Sequence, residues 1–274
     1  MEIKELQSIL FGILSDVDDC FKRNDIRYFL DSGTALGAVR EKDFIEWDDD
    51  IDICVFDEDL EKIQSAVESD GGHLHFWKPE MMTSDFCNFT VRIYDDRYTW
   101  YGGDKPLTGD FEPFNYINID LFCLTEAPEN VLERKLLKYN FLAYTAQCIA
   151  HRKPKEDGLI PFAKKTLFMR IISTVFGKPF KLETILRNRR RYVEKYRGKP
   201  GTYYTKHNYT PGNVQSEFRR EWYASSVLIP FHGRQFPVCK GYDEELTYQY
   251  GDYMTPNGSG DRIVHLRENN NGED

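Results

Sequence analysis

Three consecutive aspartates, with a fourth two residues later, interrupt an apolar stretch in the run WDDDIDICVF. If this run forms a β-strand, Ile51, Ile53 and Val55 share one face and Asp50 and Asp52 share the other, because strand side chains alternate. Two carboxylates on one strand face repel each other and lower stability unless a positive charge lies between them. A divalent cation supplies that charge, and clustered carboxylate oxygens suit Mg²⁺ or Mn²⁺.

The alternative for this run is a solvated acidic turn, which is the usual role of acidic residues in sequence. Apolar residues on both sides favour a position at the edge of a core instead, with Ile45 and Trp47 before the run. We therefore expect Asp50 and Asp52 to be metal ligands. For Asp48 and Asp49 the same two possibilities stay open, although Asp48 could join the catalytic group at the strand entrance.

A third acid lies in a later apolar strand, YINIDLF. Ile117, Ile119 and Leu121 alternate with Asn118 and Asp120, so Asp120 would lie on the face away from the apolar side chains. A buried carboxylate costs stability unless it has a partner, and the metal held by the first two acids would be one. The alternative is an aspartate at an exposed sheet edge. We favour a third metal-site carboxylate.

A glycine-threonine turn and two arginines are candidates for binding phosphate. Gly33 and Thr34 precede a predicted short helix, and a glycine there lets backbone N–H groups approach a phosphate closely. The commoner meaning of such a turn is a helix cap, which Ser32 or Thr34 could provide. Arg40 and Arg92 could hold phosphate oxygens through their planar guanidinium groups. A surface salt bridge is the alternative for each arginine.

Charge and cysteine usage exclude several classes of protein. The formal charge is −9 and the pI is about 5.3, which excludes a generic nucleic-acid binder. No apolar run approaches the roughly 20 residues of a membrane-spanning helix, and the first residues lack the pattern of a signal peptide. Cysteines without CxxC spacing predict reduced thiols in a cytoplasmic protein. They are Cys20, Cys54, Cys87, Cys123, Cys148 and Cys239.

Composition divides the chain into three predicted parts. Residues 1–127 would form a catalytic core that begins with an amphipathic helix over residues 3–21, where apolar side chains recur at helical spacing. Residues 128–200 would form a helical, basic extension. Residues 201–274 would pack back on the core.

The basic extension has two possible roles. Residues 151–200 contain fifteen lysines and arginines against four acids. These residues could form core helices with charged outer faces, or a surface over residues 162–191 that meets anionic lipid or a phosphorylated glycan carrier. His151 and His207 have no partner at metal-ligand spacing and are interpreted as ordinary polar residues.

Four blocks of this sequence, in order, resemble the LicD family. They are FLDSGTALGAVR, FIEWDDDIDI, YINIDLF and PVCKGYDEELTYQYGDYMTP. The family includes bacterial phosphocholine transferases and is related to the fukutin-related ribitol-phosphate transferases. The resemblance runs from about residue 26 to residue 265 and is weakest over residues 153–199. Glu46 stands where family members often have proline, which changes the stiffness of the loop and not the number of ligands.

The resemblance implies a fold and a set of site residues. The implied fold class is α+β, with a DNA polymerase β-type nucleotidyltransferase core, in which a mixed sheet is flanked by helices, and a helical extension. That fold carries a Gly-Ser/Thr turn, an acid-x-acid strand and a third acid on a later strand. In this sequence they correspond to Gly33-Thr34, Asp50 with Asp52, and Asp120. Trp47 and Asp49, from the second block, join the candidate substrate-binding residues.

The implied reaction is transfer of a phospho-alcohol group from a CDP-activated donor to a hydroxyl of a cell-surface glycan or its lipid-linked precursor. Mg²⁺ or Mn²⁺ would be the cofactor, and Asp120 or Asp48 the base, with Asp120 favoured. Choline is modestly preferred over ribitol, glycerol or ethanolamine, because an aromatic cage binds quaternary ammonium groups. The aromatic residues that could form one are Trp47, Trp77, Trp100, Tyr101 and Trp222.

Two other functions remain open from the sequence. A nucleotidyltransferase proper would use the same three acids to move a nucleoside monophosphate to a small-molecule or sugar acceptor. Its product would be pyrophosphate, whereas the phospho-alcohol transferase releases CMP. A non-catalytic binding module with a decayed site is the other alternative, and the intact set of three acids argues against it.

Overall fold

The structure is a computed structural model of the whole chain. It describes residues 1–82, 86, 88–100, 115–151, 171–199, 201–208 and 217–255. Residues 162–170 of the basic segment, together with Cys87 and Tyr101, therefore lie outside the described residues.

A mixed β-sheet of seven strands forms the centre of the fold. Its strands are β1 (Tyr28–Leu30), β2 (Asp52–Phe56), β3 (Leu74–Trp77), β4 (Val91–Thr99), β5 (Tyr116–Ala127), β6 (Tyr203–Lys206) and β7 (Phe218–Arg219). The order is β1-β2-β5-β4-β3, and β6 pairs with both β5 and β7. Strands β2 and β5 are parallel, and the other pairs are antiparallel. A separate hairpin joins β8 (Ser226–Phe231) to β9 (Arg234–Cys239).

Helices cover this sheet and follow the apolar periodicity of the sequence. They are α1 (Ile3–Arg23), α2 (Ser32–Arg40), α3 (Leu60–Asp70), α4 (Val131–Ile149), α5 (Leu182–Glu194) and α6 (Tyr242–Tyr250). Helix α1 buries the apolar stripe that the sequence predicted except for Ile3, which is partly buried, because those residues share one face of a helix with 3.6 residues per turn. The stripe contains Leu6, Leu10, Ile13, Leu14, Val17 and Phe21, all fully buried.

The two faces of β2 enter different clusters of the core. Ile53 and Val55 join the large cluster beneath α1, whereas Cys54 and Phe56 join a smaller cluster with β6 and β7. This division follows from the alternation of side chains along a strand. The predicted α+β class with a mixed sheet flanked by helices is confirmed.

The middle of the chain forms an antiparallel pair of helices. Leu137 of α4 packs with Val193 of α5, and Cys148 packs near Ile185, so the two helices run in opposite directions. Among the described residues no helix has the length and apolarity needed to cross a bilayer. The division into parts at residues 128 and 201 stays a prediction.

The cysteine prediction agrees with the structure over the described residues. Five of the six cysteines are free and buried. Burial raises the pKa of the Cys54 and Cys123 thiols well above the usual value, so both are protonated and behave as small apolar side chains.

Candidate metal centre and active site

The parallel register of β2 and β5 brings two predicted acids side by side. Asp52 is the direct partner of Asp120 across the ladder, and neighbouring strands lie about 4.8 Å apart. Asp52 is only 9% exposed. The flanking residues Ile51 and Ile119 are fully buried, so both carboxylates lie at the edge of the core. The sequence predicted this proximity from alternation within each strand, although it did not predict the pairing.

Asp52 is the electrostatic centre of the acidic cluster. Burial raises the pKa of its carboxyl well above the usual value, and the charges of Asp50, Asp120, Asp31 and Asp48 raise it further. Removal of a carboxylate from water and the addition of like charges both disfavour ionisation. A divalent cation would reverse both effects, and every donor in this set is a hard oxygen. The residues therefore fit Mg²⁺ or Mn²⁺.

Arg92 lies on the same side of the sheet as Asp120. The strand register pairs the two residues directly, and the Arg92 Nε atom is 2.8 Å from an Asp120 carboxylate oxygen. The guanidinium also donates to Asn118 at 3.2 Å and to Asn88 at 3.0 Å. Arg92 is therefore a fixed, nearly buried cation beside the acids, as its position in the alternating strand predicted. Its role in phosphate binding stays a prediction.

Helix α2 begins at Ser32 and not after the predicted Gly33-Thr34 turn, so Gly33 and Thr34 lie in its first turn, and its cap also differs from the prediction. Neither Ser32 nor Thr34 is the cap; the Asp31 carboxylate accepts from the backbone N–H of Ser32 and caps the helix. Ser32 has a φ of 48°, an uncommon conformation for a residue other than glycine. Thr34 has another partner, since its hydroxyl oxygen accepts from the backbone N–H of Asp52 at 2.9 Å. The turn and the acidic strand are thus joined directly.

Gly33 is in close contact with the acidic loop. A Cβ atom on this residue would lie 3.2 Å from a carboxylate oxygen of Asp48, so any side chain here would displace that acid. The loop itself is held by Gln7 of α1, whose buried amide donates to the carbonyl oxygens of Ile45 and Asp48 at 3.1 and 2.9 Å. Gln7 was not identified from the sequence, where it is one polar residue among many in a helix.

The remaining predicted site residues are Arg40, Asp49 and Trp47, and the structure places them in different surroundings. Arg40 is at the far end of α2, about 10 Å along the helix from Gly33, and donates to Glu41 and to the carbonyl oxygen of Tyr253. Asp49 is buried with 1% exposure, and Trp47 packs half-buried against the main core. The structure brings Asp48 to the turn and does not bring Arg40 there.

The aromatic residues proposed for a choline cage do not form one cluster in the described part of the chain. Trp47 and Trp100 pack against the main core. Trp77 packs with residues of α5, and Trp222 packs beside β6 and β7. The aromatic content of the sequence could not show this, because cage formation depends on which elements meet. The structure does not bring these four residues together, and a cage that uses fewer of them stays a prediction.

A buried ionic cluster supports the turn from behind. The Lys206 ammonium, 1% exposed, lies 2.6 Å from Asp31 and 2.7 Å from Glu245 of α6. Glu245 also accepts from the Tyr223 hydroxyl at 2.6 Å. Burial opposes the charge on Lys206, but the two carboxylates outweigh it and hold its pKa well above the usual value. The C-terminal block of the sequence thus contributes to the position of the Asp31–Thr34 turn.

A second buried cluster lies at the other end of β2. The ligand atoms of Asp57, Cys123 and His207 lie within 4.8 Å of one another, a group that could hold a metal ion. Arg190 and Arg197 already contact the Asp57 carboxylate, at 2.6 and 2.8 Å. Two guanidinium groups leave little negative charge for a cation, so we interpret this group as an ion-pair cluster.

His207 in that cluster is more than an ordinary polar residue. Its Nε2 atom lies 2.8 Å from Asp57 and its Nδ1 atom 3.3 Å from the Arg189 guanidinium. This arrangement suits a neutral ring that donates from Nε2 and accepts at Nδ1. Burial lowers the pKa of His207. Spacing in the sequence offered no signal for this contact, because the partners are 150 and 18 residues away.

Comparison with known proteins identifies a family for part of the chain. A family model described as "LicD/FKTN/FKRP, nucleotidyltransferase domain" matches residues 25–141. The chain carries a LicD-family domain. That domain contains the Gly33-Thr34 turn, Asp52 and Asp120, which confirms the resemblance stated from the sequence.

Relatives from two groups of bacteria align with the chain over very different lengths. The lipopolysaccharide cholinephosphotransferase LicD of Haemophilus influenzae is 24% identical over 278 residues, which covers 98% of the chain and 97% of that protein. An uncharacterized protein of Rickettsia prowazekii is 42% identical over 58 residues, or 21% of the chain and 22% of that protein. One of Rickettsia typhi is 42% identical over 50 residues, or 18% and 16%. The similarity to the Haemophilus protein extends well beyond the LicD-family domain.

Proposed function

We propose that this protein transfers a phospho-alcohol group from a CDP-activated donor to a hydroxyl of a cell-surface glycan or its lipid-linked precursor. The observation that carries the proposal is the pairing of Asp52 with Asp120 in a partly buried cluster of carboxylates. Such a cluster is unfavourable by itself, and sites of this kind are commonly functional. The proposed core is of the DNA polymerase β nucleotidyltransferase type.

Asp50, Asp52 and Asp120 would hold Mg²⁺ or Mn²⁺. When bound, the metal supplies positive charge that offsets the charge of the diphosphate and of the leaving CMP. The turn at Gly33-Thr34 would orient phosphate oxygens through its backbone N–H groups.

The carboxylates and Arg92 divide the remaining tasks. The acceptor oxygen attacks the phosphorus that bears the alcohol, the bond from that phosphorus to CMP breaks, and the acceptor proton passes to a carboxylate. Asp120 is the favoured base and Asp48 the alternative. Arg92, held against Asp120 at 2.8 Å, would orient the base and bind a phosphate oxygen.

Phosphocholine is the favoured group, and the Haemophilus relative supports this choice. That protein is named as a cholinephosphotransferase acting on lipopolysaccharide, and the alignment spans nearly all of both chains. At 24% identity the headgroup and acceptor can differ between relatives, so ribitol, glycerol and ethanolamine phosphates remain the alternatives to be tested.

A second candidate is a nucleotidyltransferase, which the description of the matching domain favours. It would use the same three acids but attack the phosphorus that bears the nucleoside. The two reactions leave different products. CMP is released by phospho-alcohol transfer, and pyrophosphate is released by nucleotidyl transfer from a triphosphate.

The experiment is a measurement of CMP release from a panel of CDP-alcohols with Mn²⁺, for the wild type and for Asp52→Ala. We expect one donor to be turned over by the wild type and none by the variant. Glycan acceptors from lipopolysaccharide and teichoic acid should be present, because hydrolysis alone can be slow. If no donor yields CMP and a nucleoside triphosphate yields pyrophosphate, the second candidate replaces the first. If neither product forms, a binding module is the remaining explanation.

A further inference from the structure

The side of α4 that points away from the core is apolar. Leu132, Leu136 and Tyr139 are 70%, 58% and 61% exposed. Their spacing of four and three residues places them on one face of the helix, opposite the buried side chains of Leu137 and Phe141. A helix on a protein surface normally carries polar residues at these positions.

Residues 171–180 continue this apolar face. A Cβ atom on Gly177 would lie 2.6 Å from the Gln147 carbonyl oxygen and 2.8 Å from the Ala150 Cβ atom. Gln147 and Ala150 are two turns and three turns beyond Tyr139 on the same side of α4. The segment that packs there exposes further large apolar side chains. They are Val175, Phe176 and Phe180, with exposures of 52%, 48% and 49%.

Lysines lie among these apolar residues. Lys135 is exposed on α4, and Lys178 and Lys181 are exposed at the other end of the face. The surrounding sequence, residues 151–200, has an excess of eleven positive charges in a chain whose net charge is −9. We call the six apolar residues and three lysines the α4 surface; the apolar residues are Leu132, Leu136, Tyr139, Val175, Phe176 and Phe180.

We propose that the α4 surface contacts the surface of an anionic lipid bilayer. Exposed apolar patches of this kind mark interaction sites, and apolar side chains framed by lysines match the boundary between lipid chains and acidic headgroups. A second copy of the chain is a poorer partner. A two-fold contact would set Lys178 and Lys181 against positive charge of the other copy, either the same two lysines or Lys135, depending on the direction of the axis.

This surface overlaps the basic contact expected over residues 162–191 at residues 175–181, and it adds the exposed face of α4. In α5 the run of arginines is turned partly inward, since Arg189 is 3% exposed and Arg190 pairs with Asp57. Those two arginines therefore stabilise the core and do not reach a membrane. The bilayer contact itself is independent of the enzymatic proposal. Only its consequence, that a lipid-linked acceptor would meet the enzyme at the membrane, rests on the proposed function.

The test is co-sedimentation with vesicles of phosphatidylglycerol and phosphatidylethanolamine, compared with vesicles of phosphatidylcholine. The variant is Leu132→Glu/Leu136→Glu. The matched control is Val227→Glu/Leu228→Glu, which changes two residues of the β8–β9 hairpin that are 41% and 59% exposed. We expect the wild type and the control to bind anionic vesicles, and the α4 variant to partition at least about tenfold less.

Circular dichroism and thermal unfolding establish that each variant is folded. Binding of the wild type should also fall as salt is raised, because lysines attract acidic headgroups over roughly 8–10 Å. The proposal is overturned if the wild type does not bind anionic vesicles, or if both variants bind as it does. Light scattering that shows a dimer in the wild type and a monomer in the α4 variant would assign the surface to a second copy instead.

Discussion

At the scale of single residues, Thr34 joins the first turn of α2 to the acidic strand through one hydrogen bond. Thr34→Val removes the hydroxyl that accepts from the Asp52 N–H at 2.9 Å, in a position that is 2% exposed. An unsatisfied buried donor costs about 1–3 kcal/mol. We expect a loss of this size in the free energy of unfolding, measured by urea denaturation, together with weaker Mn²⁺ binding.

Thr34→Ser is the matched control, because it keeps the hydroxyl and removes only a methyl group. It should retain most of the stability and the Mn²⁺ affinity of the wild type. Equal losses in the serine and valine variants would mean that packing of the methyl group, and not the hydrogen bond, positions Asp52.

Much of the site could be predicted from alternation within single strands. The side chains of Asp52 and Asp120 point to the other face of the sheet from the buried isoleucines next to them in sequence, because strand side chains alternate. Arg92 also points to that other face. The cap was predicted wrongly, because Ser32, Thr34 and Asp31 are all good cap residues and only the geometry of the turn selects one. The contact of Gln7 with the loop joins residues 41 positions apart, which no local pattern records.

At the scale of secondary-structure elements, Lys206 links β6, the turn before α2, and α6. Lys206→Met would leave the carboxylates of Asp31 and Glu245 buried without their cation. Breaking a buried ion pair in this way costs about 3–5 kcal/mol, and we expect a loss of that size in urea denaturation. The triple variant Lys206→Met/Asp31→Asn/Glu245→Gln removes the charges together and should recover part of the loss. A triple variant less stable than Lys206→Met would contradict the ionic interpretation.

The cluster that joins α5 to the end of β2 predicts a dependence of stability on pH. The pKa of His207 is lowered in the folded protein, chiefly by burial, so below about pH 6.5 the unfolded chain binds more protons than the folded one. Stability should therefore fall as the pH drops through this value. The pKa of Asp57 is also held low by His207 and Arg190, which outweigh burial, and its contribution is lost at still lower pH.

The measurement is the thermal midpoint of unfolding between about pH 7.5 and about pH 5.5. His207→Asn keeps a polar side chain and removes the titrating group. We expect a steeper decrease for the wild type than for this variant. Parallel pH profiles would mean that another group, and not His207, controls acid stability.

The helices and strands themselves were largely predictable, because each has its own apolar period. The clusters that connect them were not. Lys206 reaches Asp31 across 175 residues and His207 reaches Asp57 across 150, and neither lysine nor histidine lies in a recognisable motif. The basic run in α5 could not show from the sequence that Arg189 is buried against Phe89, with its guanidinium 3.9 Å from the ring centre.

At the scale of the whole molecule, charge is separated into two regions with different roles. The carboxylates gather around Asp52 on the interior strands β2 and β5, and the positive excess lies in the helical region that follows β5. Composition alone predicted this separation, and the resemblance to the LicD family implied the α+β class. The packing of α4 against α5 and residues 171–180, which leaves an apolar face exposed, required the structure.

The central claim is that the cluster around Asp52 is a metal site, and stability with and without Mn²⁺ tests it most directly. The pKa of Asp52 is raised by burial and by neighbouring acids. In the metal-free protein, stability is therefore lost as the pH rises from the unfolded pKa of about 3.8 through the folded pKa. At neutral pH Asp52 therefore destabilises the folded protein relative to the unfolded chain, and Asp52→Asn should raise the thermal midpoint of the metal-free protein.

Mn²⁺ should reverse this order of stability between the wild type and Asp52→Asn. For the wild type, metal at about 100 times its dissociation constant should add about 2.7 kcal/mol to the free energy of unfolding, and Asp52→Asn should show little change. The account predicts that the variant is the more stable protein without Mn²⁺ and the less stable one with it. A variant that is less stable than the wild type without metal, and that gains as much from Mn²⁺, would contradict it.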